Sequence, residues 1–323
     1  MKILHIIPYH PSPSAFVFAK RQVQDLILEG HECEIFFFNT KISPILFFRQ
    51  LISYKKKIKA FQPDIIHAHY GTYTAYFSSS FHNSPLIITF QGSDINHTTD
   101  VHPWREKMGK WMSKRAAQRA NGIICVGQKI FDLLPLGKEK AHIIACGIDI
   151  RIFKPLNREE CKRKLQLSSN TRCIFFNANN PIVKRLDIAE KVVKELSVNH
   201  SVQLLTLNGN VHPDEIPVYL NACDALLLCS DSEGSPMVIK EALACQIPIV
   251  SVAVGDVSQR IIDVDNCFIV PQEISDIVTK MEYIFERPNL STNGREKLIK
   301  DQLDSVTIIH QIIELYKTVN SNR

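Results

Sequence analysis

Two glutamates and one lysine are the residues of this chain whose types and spacing most clearly suit binding or catalysis. Glu233 stands in a polar loop, Glu241 stands in the short helix predicted after it, and Lys184 lies earlier in the chain. Apolar runs at 225–229 and 247–252 flank this stretch, which indicates strand, loop, helix and strand. Such a loop offers backbone N–H groups to phosphate, whereas a neighbouring carboxylate suits sugar hydroxyls. The stretch therefore predicts a ligand that carries both groups.

The start of this helix is predicted from its residue types. Ser235 is a favourable N-cap, and Pro236 suits the first helical position. Glu241 lies four residues after Met237, so it should share a face with the helix start.

Each of these charged residues also has a simpler explanation. Glutamate is mostly a surface residue, so Glu233 and Glu241 could be solvated, and Lys184 with Arg185 could begin a solvated helix. The helix dipole disfavours cations at a helix start, however, which argues for a bound anion there. The combination in one strand–loop–helix context favours the ligand site.

The first half must position the remaining candidates through a parallel sheet. Predicted strands at 2–7 and 32–38 flank a helix that ends before Gly30, which is a βαβ opening. Loops after parallel strands line one edge of such a sheet, where ligands bind. The candidates in these loops are Ser14, Ala15, Gln91, Gly92, Asp94 and Gly147. Asp94 could instead cap the next turn.

A second set of βα units begins at Cys173, after a boundary near residue 155. The predicted domains are 1–155, 156–304 and a C-terminal helix at 305–323. The fold class is therefore α/β, with two domains of similar size. Ligands of such pairs usually bind in the cleft between the domains.

One segment has a different character. Ile42–Phe61 interleaves aromatic and aliphatic residues with five basic residues and no acidic one. A basic amphipathic helix of this kind can lie on an anionic membrane surface. The alternative is a crossover helix with a solvated basic end.

Composition excludes several classes of protein. The net charge of +5 is too small to indicate nucleic acid, and no apolar run is long enough for a membrane span. The nine cysteines show no paired spacing, which favours a reducing, cytoplasmic location. His67 and His69 alternate to one face of a strand, but no third ligand has a convincing spacing, so no metal is predicted. The sequence does not indicate an oligomeric state.

Several of these residues resemble a known family. Glu233-Gly234-Ser235-Pro236 with Glu241 is similar to the E-x7-E motif of retaining GT-B glycosyltransferases of family 4. The segment 180–187 resembles the teichuronic acid biosynthesis branch of that family. The resemblance implies two Rossmann-like domains that face a central cleft. It places the acceptor in the first domain and the nucleotide sugar in the second, with the C-terminal helix crossing back to the first.

The resemblance also implies roles. Glu241 would bind the ribose, Glu233 would hold the transferred sugar, and Lys184 would neutralise the diphosphate leaving group. The remaining donor-binding residues would be Gly234, Ser235, Pro236, Met237, Val238, Arg185 and Asn179. The donor would be UDP-linked, and neither a cofactor nor a metal would be needed.

Three positions depart from the family pattern. Asn179 replaces an arginine, and Arg185 is a candidate to compensate for it. Gln91 stands where many members have histidine, and Ser12–Ala15 replaces a glycine-rich loop.

The predicted function is transfer of a sugar from a nucleotide diphosphate to a lipid-linked or polysaccharide acceptor in cell-surface glycan synthesis. The enzyme would act at the inner face of the membrane, as a peripheral protein. Alternatives are an epimerase or phosphorylase on the same scaffold, or a partner subunit without catalysis.

Overall fold

The computed structural model describes residues 1–12, 15–41, 43–82, 84–92, 94–95, 102–134, 136–209, 211–287 and 289–321. Two of the residues discussed above, Ser14 and Ile42, lie outside these ranges. The chain forms two compact units. The first comprises Met1–Pro11, Ala15–Gly147 and Ser305–Arg323, and the second comprises Ser12 and Ile148–Asp304.

The first unit contains a six-stranded sheet in which all paired strands are parallel. The strands are β1 (Lys2–Pro8), β2 (Glu32–Phe38), β3 (Ile65–His69), β4 (Leu86–Phe90), β5 (Gly122–Cys125) and β6 (Ala141–Ile143), in the order β2-β1-β3-β4-β5-β6. The helices between them are α1 (Val17–Leu28), α2 (Pro44–Phe61), α3 (Thr72–Ser80), α4 (Pro103–Arg119) and α5 (Gln128–Leu133). The predicted βαβ opening is confirmed.

The second unit contains a five-stranded parallel sheet. Its strands are β7 (Arg172–Asn177), β8 (Val202–Leu207), β9 (Ala225–Leu228), β10 (Ile249–Ser251) and β11 (Cys267–Ile269), in the order β11-β10-β9-β7-β8. Its helices are α6 (Arg158–Lys164), α7 (Pro181–Lys184), α8 (Leu186–Leu196), α9 (Ile216–Ala222), α10 (Met237–Ala244), α11 (Val257–Ile261), α12 (Ile274–Phe285) and α13 (Gly294–Lys300). The predicted α/β class with two parallel sheets is confirmed; the cleft predicted between the domains stays a prediction.

Helices cover both faces of the first sheet. One face packs against α2, α3, α4 and α5 through a cluster that includes Tyr54, Phe77 and Ala116. The other face packs against α1 and against the C-terminal helix α14 (Ser305–Ser321), which contributes Ile308, Ile312 and Tyr316. Both faces of the inner strands β1, β3, β4 and β5 are therefore buried, which explains why these strands are mostly apolar in the sequence.

Gly147, predicted to line the acceptor site, lies against α14. A Cβ atom at this position would come within 2.8 Å of the Ser305 Cα. The absence of a side chain thus allows the C-terminal helix to pack closely on the first unit.

The division between the units falls between Gly147 and Ile148, so the predicted boundary near residue 155 is too late. Hydrogen bonds explain the difference. The backbone N–H of Ile148 donates to Leu303 O at 2.9 Å. The Arg295 guanidinium donates to Phe153 O and Ile150 O, both at 2.8 Å. These bonds fasten the segment after Gly147 to the second unit.

All nine cysteines are free thiols, and six of them are buried. Cys125 on β5 and Cys223 after α9 have no exposed surface. Burial raises the pKa of the Cys125 thiol to about 12 and raises that of Cys223 strongly. Among the described residues, no helix is both long enough and apolar enough to cross a membrane.

Candidate active site

Lys184 and Glu233, the two residues predicted to be catalytic, form an ion pair. Their side chains are only 15% and 13% exposed. The same Glu233 oxygen, Oε1, accepts a hydrogen bond from Ser230 Oγ at 2.8 Å. The ammonium and carboxylate therefore lie together in a half-buried position, although 49 residues separate them in the chain.

The topology of the second sheet explains this pairing. Lys184 ends α7, which follows β7, and Glu233 lies in the loop that follows β9. Because β7 and β9 are neighbouring parallel strands, their carboxyl ends meet at one sheet edge. A backbone bond joins the two segments there, from Asp231 N–H to Val183 O at 2.9 Å.

The loop after β10 supports the same site from the other side. Gly255 has φ +58°, and a Cβ atom there would lie 2.6 Å from Gly234 O. Ser235 Oγ donates to Asp256 Oδ2 at 2.8 Å, and Arg260 Nε donates to the same oxygen at 2.8 Å. The backbone around Gly234 is therefore held in place by the neighbouring loop.

The helix α10 begins at Met237, so the prediction that Ser235 caps it and Pro236 begins it is wrong. Pro236 is the flanking residue, with extended backbone, and the Ser235 hydroxyl is used by Asp256 instead. Pro236 and Val238 are buried, and Met237 is partly buried. Glu241 is also buried, at 8% exposure, one turn after the helix start. A buried glutamate is unusual, which weakens the view that it is a plain surface residue.

Arg185, proposed to compensate for Asn179, already has carboxylate partners. Its guanidinium donates to Asp187 Oδ1 at 2.9 Å and to Asp231 Oδ1 at 3.2 Å. These hydrogen bonds raise the pKa of Arg185. Asn179 is exposed, and its backbone N–H donates to Asn177 Oδ1 at 3.1 Å. Any phosphate bound by Arg185 would have to compete with two carboxylates.

In the first unit, the structure favours a capping role for Asp94. Its carboxylate is 1% exposed and accepts backbone N–H groups from Gly71 at 2.7 Å, Gly92 at 2.8 Å and Gln91 at 3.1 Å. Burial raises the pKa of Asp94, although the backbone bonds oppose this. The carboxylate organises the loop after β4. Ala15, at the end of another candidate loop, lies two residues before α1.

A buried histidine cluster lies deeper in the first unit. His5 on β1 joins His67 and His69 on β3, and one ring nitrogen of each lies within 4.8 Å of the others. The sequence did not reveal this third histidine, because it comes from the neighbouring strand in register with His67.

Hydrogen bonds define the state of this cluster. His67 Nε2 lies 2.7 Å from Thr89 Oγ1, and its Nδ1 lies 2.6 Å from Tyr316 Oη. His5 Nδ1 lies 3.0 Å from His69 Nε2. The other nitrogen of each of these two rings has no partner among the residues that the structure describes. Since a neutral imidazole carries one N–H, the pair leaves one donor and one acceptor unsatisfied.

Burial lowers the pKa of all three histidines, that of His69 to about 3. Repulsion from His69 lowers those of His5 and His67 further. The cluster is therefore neutral near pH 7. Both ring nitrogens of His67 are hydrogen-bonded, and its ring stacks on that of His69 with centroids 4.2 Å apart. The rings are therefore held in place by one another and by Thr89 and Tyr316.

The two units, with loops gathered at the carboxyl ends of parallel strands, define a GT-B fold. Residues 10–151 match the model of the family described as Glycosyltransferase Family 4, and residues 184–301 match the model described as Glycosyl transferases group 1. These matches together cover most of the chain, which therefore belongs to this glycosyltransferase family.

Individual relatives agree with this assignment. TuaC of Bacillus subtilis (strain 168), named as a teichuronic acid biosynthesis glycosyltransferase, is 29% identical over 252 residues, which are 68% of this chain and 62% of TuaC. The Anabaena protein HepE, solved with UDP and glucose, is 17% identical with a TM-score of 0.76, covering 98% of this chain and 100% of HepE. Sucrose-phosphate synthase from Thermosynechococcus elongatus is 15% identical with the same TM-score, 0.76, over the full length of both chains.

Proposed function

We propose that this glycosyltransferase takes its sugar from a UDP-linked donor and passes it to a lipid-linked or polysaccharide acceptor of the cell surface, with retention of anomeric configuration. The observation that carries the proposal is the half-buried Lys184–Glu233 pair beside the start of α10. The UDP bound to HepE and the naming of TuaC support the donor and the acceptor class, respectively.

Lys184 is assigned to the leaving group. As the bond between the sugar and the diphosphate lengthens, negative charge grows on the departing phosphate. An ammonium already fixed in place stabilises that charge more in the transition state than in the ground state. The ion pair with Glu233 holds Lys184 in position before the donor binds. Glu233 then remains beside the cation, where it can accept hydrogen bonds from sugar hydroxyls.

The start of α10 is assigned to the diphosphate and the ribose. Pro236 has no N–H. The residues on either side of it, Gly234, Ser235, Met237 and Val238, can present their N–H groups to the diphosphate. Glu241 would accept hydrogen bonds from the ribose hydroxyls. With a lysine and backbone amides on the phosphates, the reaction is expected to proceed without a metal.

Donor binding tests these assignments. UDP affinity is to be measured by calorimetry for the wild type, Lys184→Ala, Glu241→Ala and the control Lys194→Ala, an exposed lysine on α8. Loss of one charge-assisted contact is expected to weaken UDP binding by about tenfold or more in the first two variants. The control should bind as the wild type does. Equal affinities in all four proteins would refute the assignments.

Transfer is tested with a panel of nucleotide sugars and extracted acceptors, with and without a chelator. The expected product keeps the anomeric configuration of the donor by NMR, and the chelator leaves the rate unchanged. Conversion of the sugar without an acceptor would identify an epimerase. Consumption of inorganic phosphate would identify a phosphorylase. UDP binding without turnover on any extract would identify a partner subunit.

The proposed location is the cytoplasm, at the inner face of the membrane, with α2 in contact with lipid. This helix is a crossover between β2 and β3, and it buries Tyr54 and Phe61 against the sheet. Its outer face exposes Ile45, Phe48 and Ile52, which follow helical spacing. Flotation with anionic vesicles should weaken when Lys55, Lys56 and Lys57 are changed to Glu; unchanged flotation would remove α2 from the proposal.

A further inference from the structure

The cations assigned so far to the donor site are already held by carboxylates. Lys184 pairs with Glu233. The Arg185 guanidinium donates from one terminal nitrogen to Asp187 and from the other to Asp231. These five side chains together carry two positive and three negative charges. A bound diphosphate adds further negative charge, which favours an additional cation at the same edge of the sheet.

Arg260, on α11, lies beside the loop that follows β9. Its Nε donates to Asp256 Oδ2 at 2.8 Å, and the same oxygen accepts a hydrogen bond from Ser235 Oγ at 2.8 Å. The loops after β9 and β10 also touch at Gly255, where a Cβ atom would lie 2.6 Å from Gly234 O. The Arg260 guanidinium is therefore two hydrogen bonds away from Ser235, whose backbone N–H is assigned to the diphosphate.

Asp256 holds this arginine instead of capping its own helix. Aspartate at an N-cap position ordinarily accepts hydrogen bonds from N–H groups of the first helical turn. The Asp256 carboxylate accepts from none of the first-turn N–H groups of α11, all of which belong to the described part of the chain. Val257 and Ile261 anchor α11 in the core, where they are 0% and 4% exposed. The helix and the carboxylate together fix the position of the guanidinium.

The terminal nitrogens of Arg260 are available to a ligand. Among the residues that the structure describes, only Asp256 binds this guanidinium, and it uses Nε. The Arg260 side chain is only 18% exposed, so it is not a freely solvated surface arginine. With Nε fixed, Nη1 and Nη2 form a fork that matches two oxygens of a phosphate. In Arg185, by contrast, both terminal nitrogens already bind carboxylates.

We propose that Arg260 is a donor-binding residue, whose Nη1 and Nη2 bind the diphosphate of the nucleotide sugar, and that Asp256 is the positioning residue that holds it there. This inference rests on the proposed function and adds a second cation to Lys184. As the bond between sugar and diphosphate breaks, both cations stabilise the negative charge that grows on the leaving group. Asp256 keeps Arg260 paired when the donor departs, so no unpaired buried charge remains.

A comparison of UDP with uridine separates contact with the diphosphate from a general effect on the fold. In Arg260→Met, UDP binding is expected to weaken by about tenfold or more, while uridine binding, measured by NMR titration, stays within about twofold of the wild type. Arg260→Lys keeps the charge without the fork, so its loss should be smaller. The control Arg163→Met, at an exposed arginine of α6, should bind both ligands as the wild type does.

The role of Asp256 is tested in two backgrounds. Asp256→Asn is expected to weaken UDP binding in the wild type, because the neutral amide holds the guanidinium less firmly. In the Arg260→Met background the same change should cause no further loss, since the residue that it positions is absent. An equal loss in both backgrounds would show that Asp256 acts independently of Arg260 and would refute its positioning role.

Two results would overturn the assignment of Arg260. The first is a UDP affinity that Arg260→Met leaves unchanged while Lys184→Ala lowers it, in which case this inference fails and the proposed function stands. The second is an equal weakening of UDP and uridine, which would show that Arg260 only supports the fold. If Arg260→Met does not fold, Arg260→Gln provides the same comparison. A wild type that binds no UDP would refute the proposed function together with this inference.

Discussion

Acidification from about pH 7 to about pH 5.5 is expected to destabilise the first unit, because His5, His67 and His69 are buried as neutral rings. An imidazole with a pKa near 6.5 in the unfolded chain and a much lower pKa in the folded state takes up its proton only on unfolding. The stability it contributes is complete above the unfolded pKa. That stability is lost as the pH falls below 6.5, down to the folded pKa, which is about 3 for His69.

The magnitude follows from linkage. Between about pH 7 and about pH 5.5, each such histidine reduces the free energy of unfolding by about 1.3 kcal/mol, so three reduce it by about 4 kcal/mol. This result requires only that the pKa values in the folded state lie well below the pH range of the experiment. A loss of about 4 kcal/mol is a large part of the stability of an ordinary domain.

Urea unfolding at several pH values measures this loss. Because Trp104 and Trp111 both lie on α4, tryptophan fluorescence follows the unfolding of the first unit. The variant His69→Gln should reduce the pH-dependent loss by about one third, whatever its stability at neutral pH. The exposed residue His142 provides the control, and His142→Gln should leave the loss unchanged.

An equal loss of stability in His69→Gln and the wild type would refute the reasoning, since it would mean that other groups take up the protons. If His69→Gln does not fold, His5→Gln provides the same comparison, because both belong to one hydrogen-bonded pair.

Three further predictions concern the backbone. Gly255→Ala should weaken UDP binding and stability, because its Cβ would collide with Gly234 O; Gly30→Ala, with φ +82° and no neighbour within 4 Å, should cost only about 1 kcal/mol of backbone strain and leave UDP affinity unchanged. Asp94→Ala should reduce the urea stability of the first unit by about 1–3 kcal/mol, since three backbone N–H groups lose their acceptor, whereas Asp94→Asn should cost less. Arg295→Met should destabilise the second unit by about 2–3 kcal/mol in thermal unfolding, because the partly buried bonds to Phe153 O and Ile150 O lose their charged donor; an unchanged melting temperature would contradict this.

The two sheets could be predicted because their signals are local. Short apolar runs such as 225–229 indicate strands that are covered on both faces, and the structure has β9 there. Consecutive βα units then require parallel strands, which bring the segments that carry Lys184 and Glu233 to one edge. The E-x7-E spacing drew attention to the loop that carries Glu233, whereas its ion pair with Lys184 was not predicted, because it joins residues far apart in the chain.

The features that were missed depend on contacts that no local pattern reveals. The helix α4 has no apolar stripe, because its buried positions are small: Ser113, Ala116 and Ala117. Its inner face therefore does not stand out from loop sequence. His5 joins the other histidines only through the register of β1 with β3.

The error at the start of α10 has a similar cause. The residue type of Ser235 suits a helix cap, but Asp256, 21 residues later, takes its hydroxyl. Local preference was overruled by a tertiary hydrogen bond, and the helix begins one residue later than predicted, at Met237.

Because the two units contain free, buried thiols, the opening of each unit can be measured separately. A thiol reagent can react with Cys125 or Cys223 only after the surrounding structure opens, because neither side chain has exposed surface and burial raises the pKa of each. The labelling rate of Cys125 therefore reports the opening of the first unit, and that of Cys223 reports the opening of the second. A single labelling time course, in which peptide masses distinguish the two cysteines, would show whether a bound nucleotide slows the opening of one unit or of both.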